Sequence, residues 1–247
     1  MTIYLYCLFG NEEQLMPYFL RHYAPQVDRL FMLDGGCTDG SKALIEACPN
    51  AEIQESPFAH GGYDELAFVD YLAEKCREAR IKGVSSPADW VIAVDADEFL
   101  YDPRGLRFAL DEYRRHGRRA VKALGYQMVA DKFPDGDKQL TSLIRAGTYD
   151  PEYDKLAAFD PAVNVSWTFG RHNYRADCQV YQPGLKLLHY RYFGEQYFTE
   201  RNARNYPRRT SGDIAANRGY HCAPEHTGKY SLGWWKHAAS IAEDVVS

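Results

Sequence analysis

Along the first half of the chain, apolar positions switch between two periods. Residues 2–9 form a β-branched and aromatic run that predicts a first strand. Asn11 then stands as an N-cap, with Gln14 three residues on. Leu15, Met16, Phe19, Leu20 and Tyr23 follow at helical spacing until Pro25. Residues 29–33 predict a second strand ending at Asp34. Gly35-Gly36 makes the turn, and Thr38 or Asp39 caps a helix that stops before Pro49. Residues 51–54 read as a short third strand. Asp64 caps the next helix, whose Leu66, Val69, Leu72, Cys76 and Ala79 form one apolar stripe. Residues 90–94 are continuously apolar, the mark of a strand buried on both faces. Asp102-Pro103 opens another helix that Gly117 ends. Strand and helix thus alternate through residues 1–120, which predicts a largely parallel sheet covered by helices.

The second half has a different texture. Residues 119–129 read as a strand, and 131–155, rich in Asp, Gly, Pro and Tyr, as a long loop. Shorter strands are predicted at 156–159, 163–169 and 185–190, and a helix at 194–205. There is no repeat, low-complexity segment or clear linker. The expectation is one domain over residues 1–247, with a nucleotide-binding half (about 1–120) and an acceptor half (about 121–247).

Composition narrows the function classes. The net charge of −5 lacks the basic surplus of a duplex-DNA binder, so nucleic acid is not the expected partner. No apolar run is long enough to span a bilayer, and the N-terminus has no secretory pattern. The expected location is cytoplasmic, or peripheral at the inner face of a membrane. The six cysteines are scattered without a C-x-x-C pair, which argues against a zinc knuckle or a disulfide scaffold. Tyr, at 19 copies, suits stacking on sugars and bases as well as core edges.

Candidate chemistry concentrates at the end of the 90–94 strand, in Asp95-Ala96-Asp97-Glu98. Ligands of open parallel sheets bind beyond the carboxyl ends of strands. Carboxylates this crowded repel one another unless solvent or a cation separates them. A hard divalent cation takes oxygen ligands and keeps positions open for substrate phosphates. Glu12, Asp34 and Asp39 lie at earlier strand ends or helix starts, facing the same crevice. Carboxylates there accept hydrogen bonds from a nucleobase imide or ribose hydroxyls. The competing reading for each is turn formation or helix capping.

In this order, four segments resemble the family 2 glycosyltransferases and their small bacterial relatives of the GT-A fold. They are Asn11-Glu12-Glu13, residues 33–41, residues 90–100 around the Asp-x-Asp, and residues 186–191 followed by an Arg-rich stretch. The resemblance implies an α/β fold of GT-A type with a mostly parallel central sheet. It implies a hexosyltransferase that uses Mn2+ or Mg2+ and a nucleotide-sugar donor, a UDP-sugar foremost. The acceptor would be a hydroxyl of a glycan, glycolipid or lipopolysaccharide-type molecule, as in polysaccharide biosynthesis. Asp95 would approach ribose and metal, Asp97 would be the main metal ligand, and His189 a further one. Glu12, Asp34 and Asp64 would meet the nucleotide, and Arg201 and Arg208 the diphosphate. Asp160 and Asp177 are the candidates for a catalytic base. Gly35 stands where many members carry a second Asp, and the Glu-Asp pair that inverting members carry later in the chain is missing.

Three other classes fit less well. A haloacid-dehalogenase phosphatase carries its Asp-x-Asp after the first strand, whereas here it follows the fourth. A sugar-1-phosphate nucleotidyltransferase needs a Gly-rich, Arg-bearing loop that residues 8–11 lack. A non-catalytic sugar-nucleotide or glycan-binding module would keep the fold without turnover.

Overall fold

The computed structural model describes residues 1–58, 65–80, 87–219, 222–226 and 232–246. The first half contains β1 (Ile3–Phe9), α1 (Met16–Tyr23), β2 (Arg29–Asp34), α2 (Ser41–Glu46), β3 (Ala51–Glu55), α3 (Glu65–Glu78), β4 (Trp90–Asp95), β5 (Glu98–Tyr101) and α4 (Leu106–Arg115). The second half adds β6 (Ala120–Ala130), α5 (Leu140–Leu143), β7 (Ala146–Tyr149), β8 (Lys155–Phe159), β9 (Val165–Trp167), β10 (Tyr174–Ala176) and β11 (Lys186–Phe193). It closes with α6 (Gly194–Asn205), α7 (Ser211–Ala215), α8 (Pro224–His226), α9 (Leu232–Ser240) and β12 (Glu243–Asp244).

The fold is α/β, a central sheet flanked by helices. The sheet runs β12-β7-β6-β8-β4-β1-β2-β3, with β11 bridging β6 and β5. Its β3-β2-β1-β4 portion is parallel, as the alternating blocks predict. Beyond β4 the direction changes: β8 is antiparallel to both β4 and β6, and β11 is parallel to β6 but antiparallel to β5.

Burial on both faces explains the unbroken apolar runs. Ile3, Leu5, Cys7 and Phe9 of β1 join the core built with α1 and α4, while Tyr4 and Tyr6 pack on the other face with Phe68, Val69, Leu72 and Cys76 of α3. Val69, Leu72, Cys76 and Ala79 of the expected stripe are thus buried, whereas Leu66 is exposed and Phe68 packs in the core instead.

Several local expectations change. Asn11 does not cap α1, which begins at Met16. Its side chain binds Thr38 instead, accepting from the backbone N–H at 2.7 Å and donating to the hydroxyl at 2.9 Å. The expected 131–155 loop contains α5 and β7, and the expected 163–169 strand shortens to β9 before a 3-10 turn. β5 was not anticipated. It turns back from β4 after two residues and pairs with β11, which sets Glu98 beside His189 and His189 beside Gln127 on adjacent strands. That register builds the site.

Candidate active site

Glu98 closes the β4–β5 turn, since its Oε2 accepts from the backbone N–H of Asp95 at 2.9 Å. The same carboxylate receives Lys155 Nζ at 2.5 Å and Arg171 Nη2 at 2.7 Å. All three side chains are buried, so none could remain charged without the others. Burial pushes the Glu98 carboxyl up, but Lys155 and Arg171 outweigh it and hold it down at about 2. Arg171 also reaches Asp95 Oδ2 at 2.9 Å and the carbonyl of Ala93 at 2.7 Å. Its backbone sits at φ 57°, a left-handed conformation uncommon outside glycine. The buried guanidinium, tied to three partners, holds it there.

Asp97 lies between Asp95 and Glu98 in importance only by position, for it joins a different group of side chains. Its Oδ2 is 2.8 Å from Arg201 Nη1 and 3.3 Å from His189 Nε2. Burial opposes its ionisation, yet the Arg201 guanidinium beside it holds its pKa well below the usual carboxylate range. Arg201, from the inward face of α6, also reaches Glu12 Oε1 at 2.8 Å. Tyr153 stacks on the His189 ring at 4.6 Å. Glu12 Oε2 and Arg201 Nε are buried without a hydrogen-bond partner among the described residues.

These groups line a cavity of about 340 Å³. On its wall stand Arg191, Arg208 and Arg209, which pair with no carboxylate among the described residues. Arg191 bonds Asn202 and Cys222, Arg208 the carbonyl of Gly35, and Arg209 the carbonyls of Tyr206 and Arg218. A Cβ on Gly10 would collide with the Arg208 guanidinium, so glycine there lets Arg208 lie over the end of β1. A cavity lined both by strand-end carboxylates and by three guanidiniums without a carboxylate partner suits an anionic ligand that brings a cation with it.

The structure gathers Glu12, Asp95, Asp97, His189, Arg201 and Arg208 around this cavity. Arg208 lies beyond the helix: α6 ends at Asn205, and Arg208 reaches in from the following 3-10 turn. Asp34 is corrected to a turn organiser. Its Oδ1 accepts from the N–H groups of Gly36 and Cys37, and its Oδ2 binds Lys42 at 2.6 Å. Asp160 and Asp177 are not brought to the cavity. Asp160 pairs with Arg119 at 3.0 Å, and Asp177 with the side-chain amide of Asn164 at 2.6 Å; Asp160 follows the end of β8 that pairs with the start of β4, at the far end of that strand from Asp95, and Asp177 follows β10. Asp64 falls outside the described residues.

Lys155, Arg171, Tyr153 and Gln127 had no sequence signal as site residues. Glu98 stood in the acidic cluster without a role of its own; the rest reach the site across long separations in sequence.

Asp97 and His189 supply one carboxylate oxygen and one imidazole nitrogen, a donor pair that suits Mn2+ or Mg2+ with phosphate oxygens completing the shell. Among the described residues, no three His, Cys, Asp or Glu side chains converge as a full metal cage.

No protein-family model matches the sequence, and no curated protein matches it. Solved structures similar to it include glucosyl-3-phosphoglycerate synthase from Mycobacterium tuberculosis in complex with Mn2+, UDP and glucosyl-3-phosphoglycerate, at 21% identity and a TM-score of 0.34, over 50% of this chain and 44% of that one. The same synthase with Mg2+ and UDP is 20% identical, with a TM-score of 0.34 over 50% and 43% of the two chains. A mycobacterial protein is 21% identical, at 0.34 over 51% and 41%. The chain spans less than half the length of these structures. A likeness of this size carries no functional weight by itself.

Proposed function

We propose that this chain is a metal-dependent glycosyltransferase of GT-A type, moving a sugar from a nucleotide-sugar, a UDP-sugar foremost, to a hydroxyl of a glycan or glycolipid. The observation that carries the reading is that one cavity is lined both by the Asp97–His189 pair and by the guanidiniums of Arg191, Arg208 and Arg209. The donor's diphosphate lies between them.

Asp97 and His189 would hold the divalent cation, which would supply charge neutralisation of the leaving nucleoside diphosphate. Arg201 already gives Asp97 one positive charge. Arg201 would shift toward Glu12 on metal binding, since Glu12 Oε2 has no hydrogen-bond partner among the described residues. Arg208, over the ends of β1 and β2, clamps the diphosphate from the nucleoside side. The Glu98–Lys155–Arg171 group holds the β4–β5 turn in place so that Asp97 does not reorganise during transfer.

The test is a thermal-shift series with UDP, GDP and CDP, each with and without Mn2+. Ligand that binds the native state raises the melting temperature. The expected result is a metal-dependent rise, largest with UDP. No rise with any diphosphate would end the reading. A rise without metal-dependent hydrolysis or transfer of a nucleotide-sugar would favour a binding module.

A further inference from the structure

A hydrogen-bond relay behind His189 decides which ring nitrogen faces the cavity. Asp150 Oδ2 lies 3.0 Å from Gln127 Nε2. A carboxylate only accepts, so the amide NH2 belongs on that side. Gln127 Oε1 then faces His189 Nδ1 at 2.7 Å. An amide oxygen also only accepts, so Nδ1 carries a proton. The reverse amide orientation would set Oε1 against the Asp150 carboxylate, and Gln127 is buried on β6 with no room to compromise.

Asp150 is itself held. Its N–H donates to the carbonyl of Gly125 at 2.9 Å, and its Oδ1 accepts from the N–H of Glu152 at 3.1 Å, capping the 3-10 turn of residues 151–153. Tyr153 ends that turn and stacks on His189 with an interplanar angle of 24°. One turn thereby sets both the proton position and the plane of the ring.

With Nδ1 protonated, a neutral His189 offers a lone pair at Nε2, 3.3 Å from Asp97 Oδ2. Two acceptors facing each other repel unless a cation lies by them, and in the ligand-free protein Arg201 Nη1, 2.8 Å from the same oxygen, fills that need. We infer that Asp150 and Gln127 are positioning residues that lock His189 as the Nδ1–H tautomer, so that Nε2 and the Asp97 carboxylate together face the cavity as a cation-binding pair. The identity of that cation as a divalent metal rests on the function proposed above; the tautomer lock does not.

The test uses the 15N-labelled, ligand-free full chain, with long-range 1H–15N spectra reading the protonation of each His189 nitrogen. In the wild type the proton is expected on Nδ1, with Nε2 bare. Asp150→Asn keeps the turn cap, because Asn can still accept from Glu152, but frees the Gln127 amide to turn, and a tautomer mixture is expected. Gln127→Leu removes the acceptor, and the proton is expected on Nε2, donated to Asp97. Circular dichroism checks that each variant folds. A wild-type ring protonated on Nε2 alone, or on both nitrogens up to pH 8, overturns the lock. So does an unchanged tautomer in Gln127→Leu. Calorimetry with Mn2+ alone forms the second arm, with about tenfold weaker binding expected for Gln127→Leu. If the tautomer responds as expected while Mn2+ binds no form of the protein, the lock stands and the metal role falls.

Discussion

Asp97 and Glu98 are adjacent carboxylates on one turn, and the structure puts them to opposite uses. Glu98 points into the protein and meets two buried cations, while Asp97 points along the cavity and meets His189 and Arg201. Asp95, partly exposed, leans toward the Glu98 side through Arg171. In sequence the three look like one acidic cluster. In space they divide into a fixed frame and a working edge. Like charges can be this close because the two groups have separate sets of cations.

Removing the frame carboxylate should cost most. Glu98→Ala leaves Lys155 and Arg171 buried without their shared partner, and a loss of about 3–5 kcal/mol in urea unfolding is expected. A loss below 1 kcal/mol would show that the two cations find solvent, and that the frame is not a frame. Asp97→Ala should instead leave the fold intact, because Arg201 keeps Glu12. Its expected effect is on transfer, lower by about 10²–10³-fold with a UDP-sugar and Mn2+. Wild-type turnover in this variant would remove Asp97 from the chemistry.

Acid should separate the two carboxylates further. Glu98 is held down to about 2 from a reference of 4.5. A depressed folded-state pKa gives stability that is fully present above the unfolded value and is lost as pH falls toward the folded one. The loss is expected between about pH 4.5 and 2, on the order of 3 kcal/mol. Asp97, also depressed, adds to the same limb. Glu98→Gln should flatten its share, read as unfolding free energy against pH; an unaltered acid limb would contradict the assignment.

Two smaller effects bound the cavity. Arg208→Ala should weaken nucleoside diphosphate binding by about tenfold in calorimetry, the scale of one charge-assisted hydrogen bond. Unchanged affinity would move the diphosphate away from the β1 and β2 ends. Asp160→Asn, remote from the cavity and engaged with Arg119, should leave turnover within about twofold. A larger fall would return it to consideration as a base.

Most of the parallel half was legible in the residues. The apolar runs of β1, β2 and β4 announce strands covered on both faces, and the stripe on α3, Leu66 apart, announces its packing side. Asp97 was legible too, because a carboxylate just past a buried strand lies in the crevice where such sheets bind ligands. Arg201 and His189 were visible as residues of suitable chemistry at the ends of later elements. The antiparallel half was harder to read. β5, β7 and β12 are short, and a few residues of alternating character resemble a loop when the partner strand is unknown.

Local pattern therefore sufficed for whatever depends on near neighbours in the chain: the strand and helix blocks, the turn acids, the strand-end position of the Asp-x-Asp. Charge partnership did not follow from local pattern. Lys155 lies 57 residues from Glu98, and Arg201 lies 189 residues from Glu12, so no periodicity links them. The division of one acidic motif into Glu98 and Asp97 arose where β11 inserted between β5 and β6 and set Glu98, His189 and Gln127 in adjacent register. Strand pairing is specified by the whole packed sheet, and electrostatic partners in a low-dielectric interior are whichever groups that pairing brings within reach.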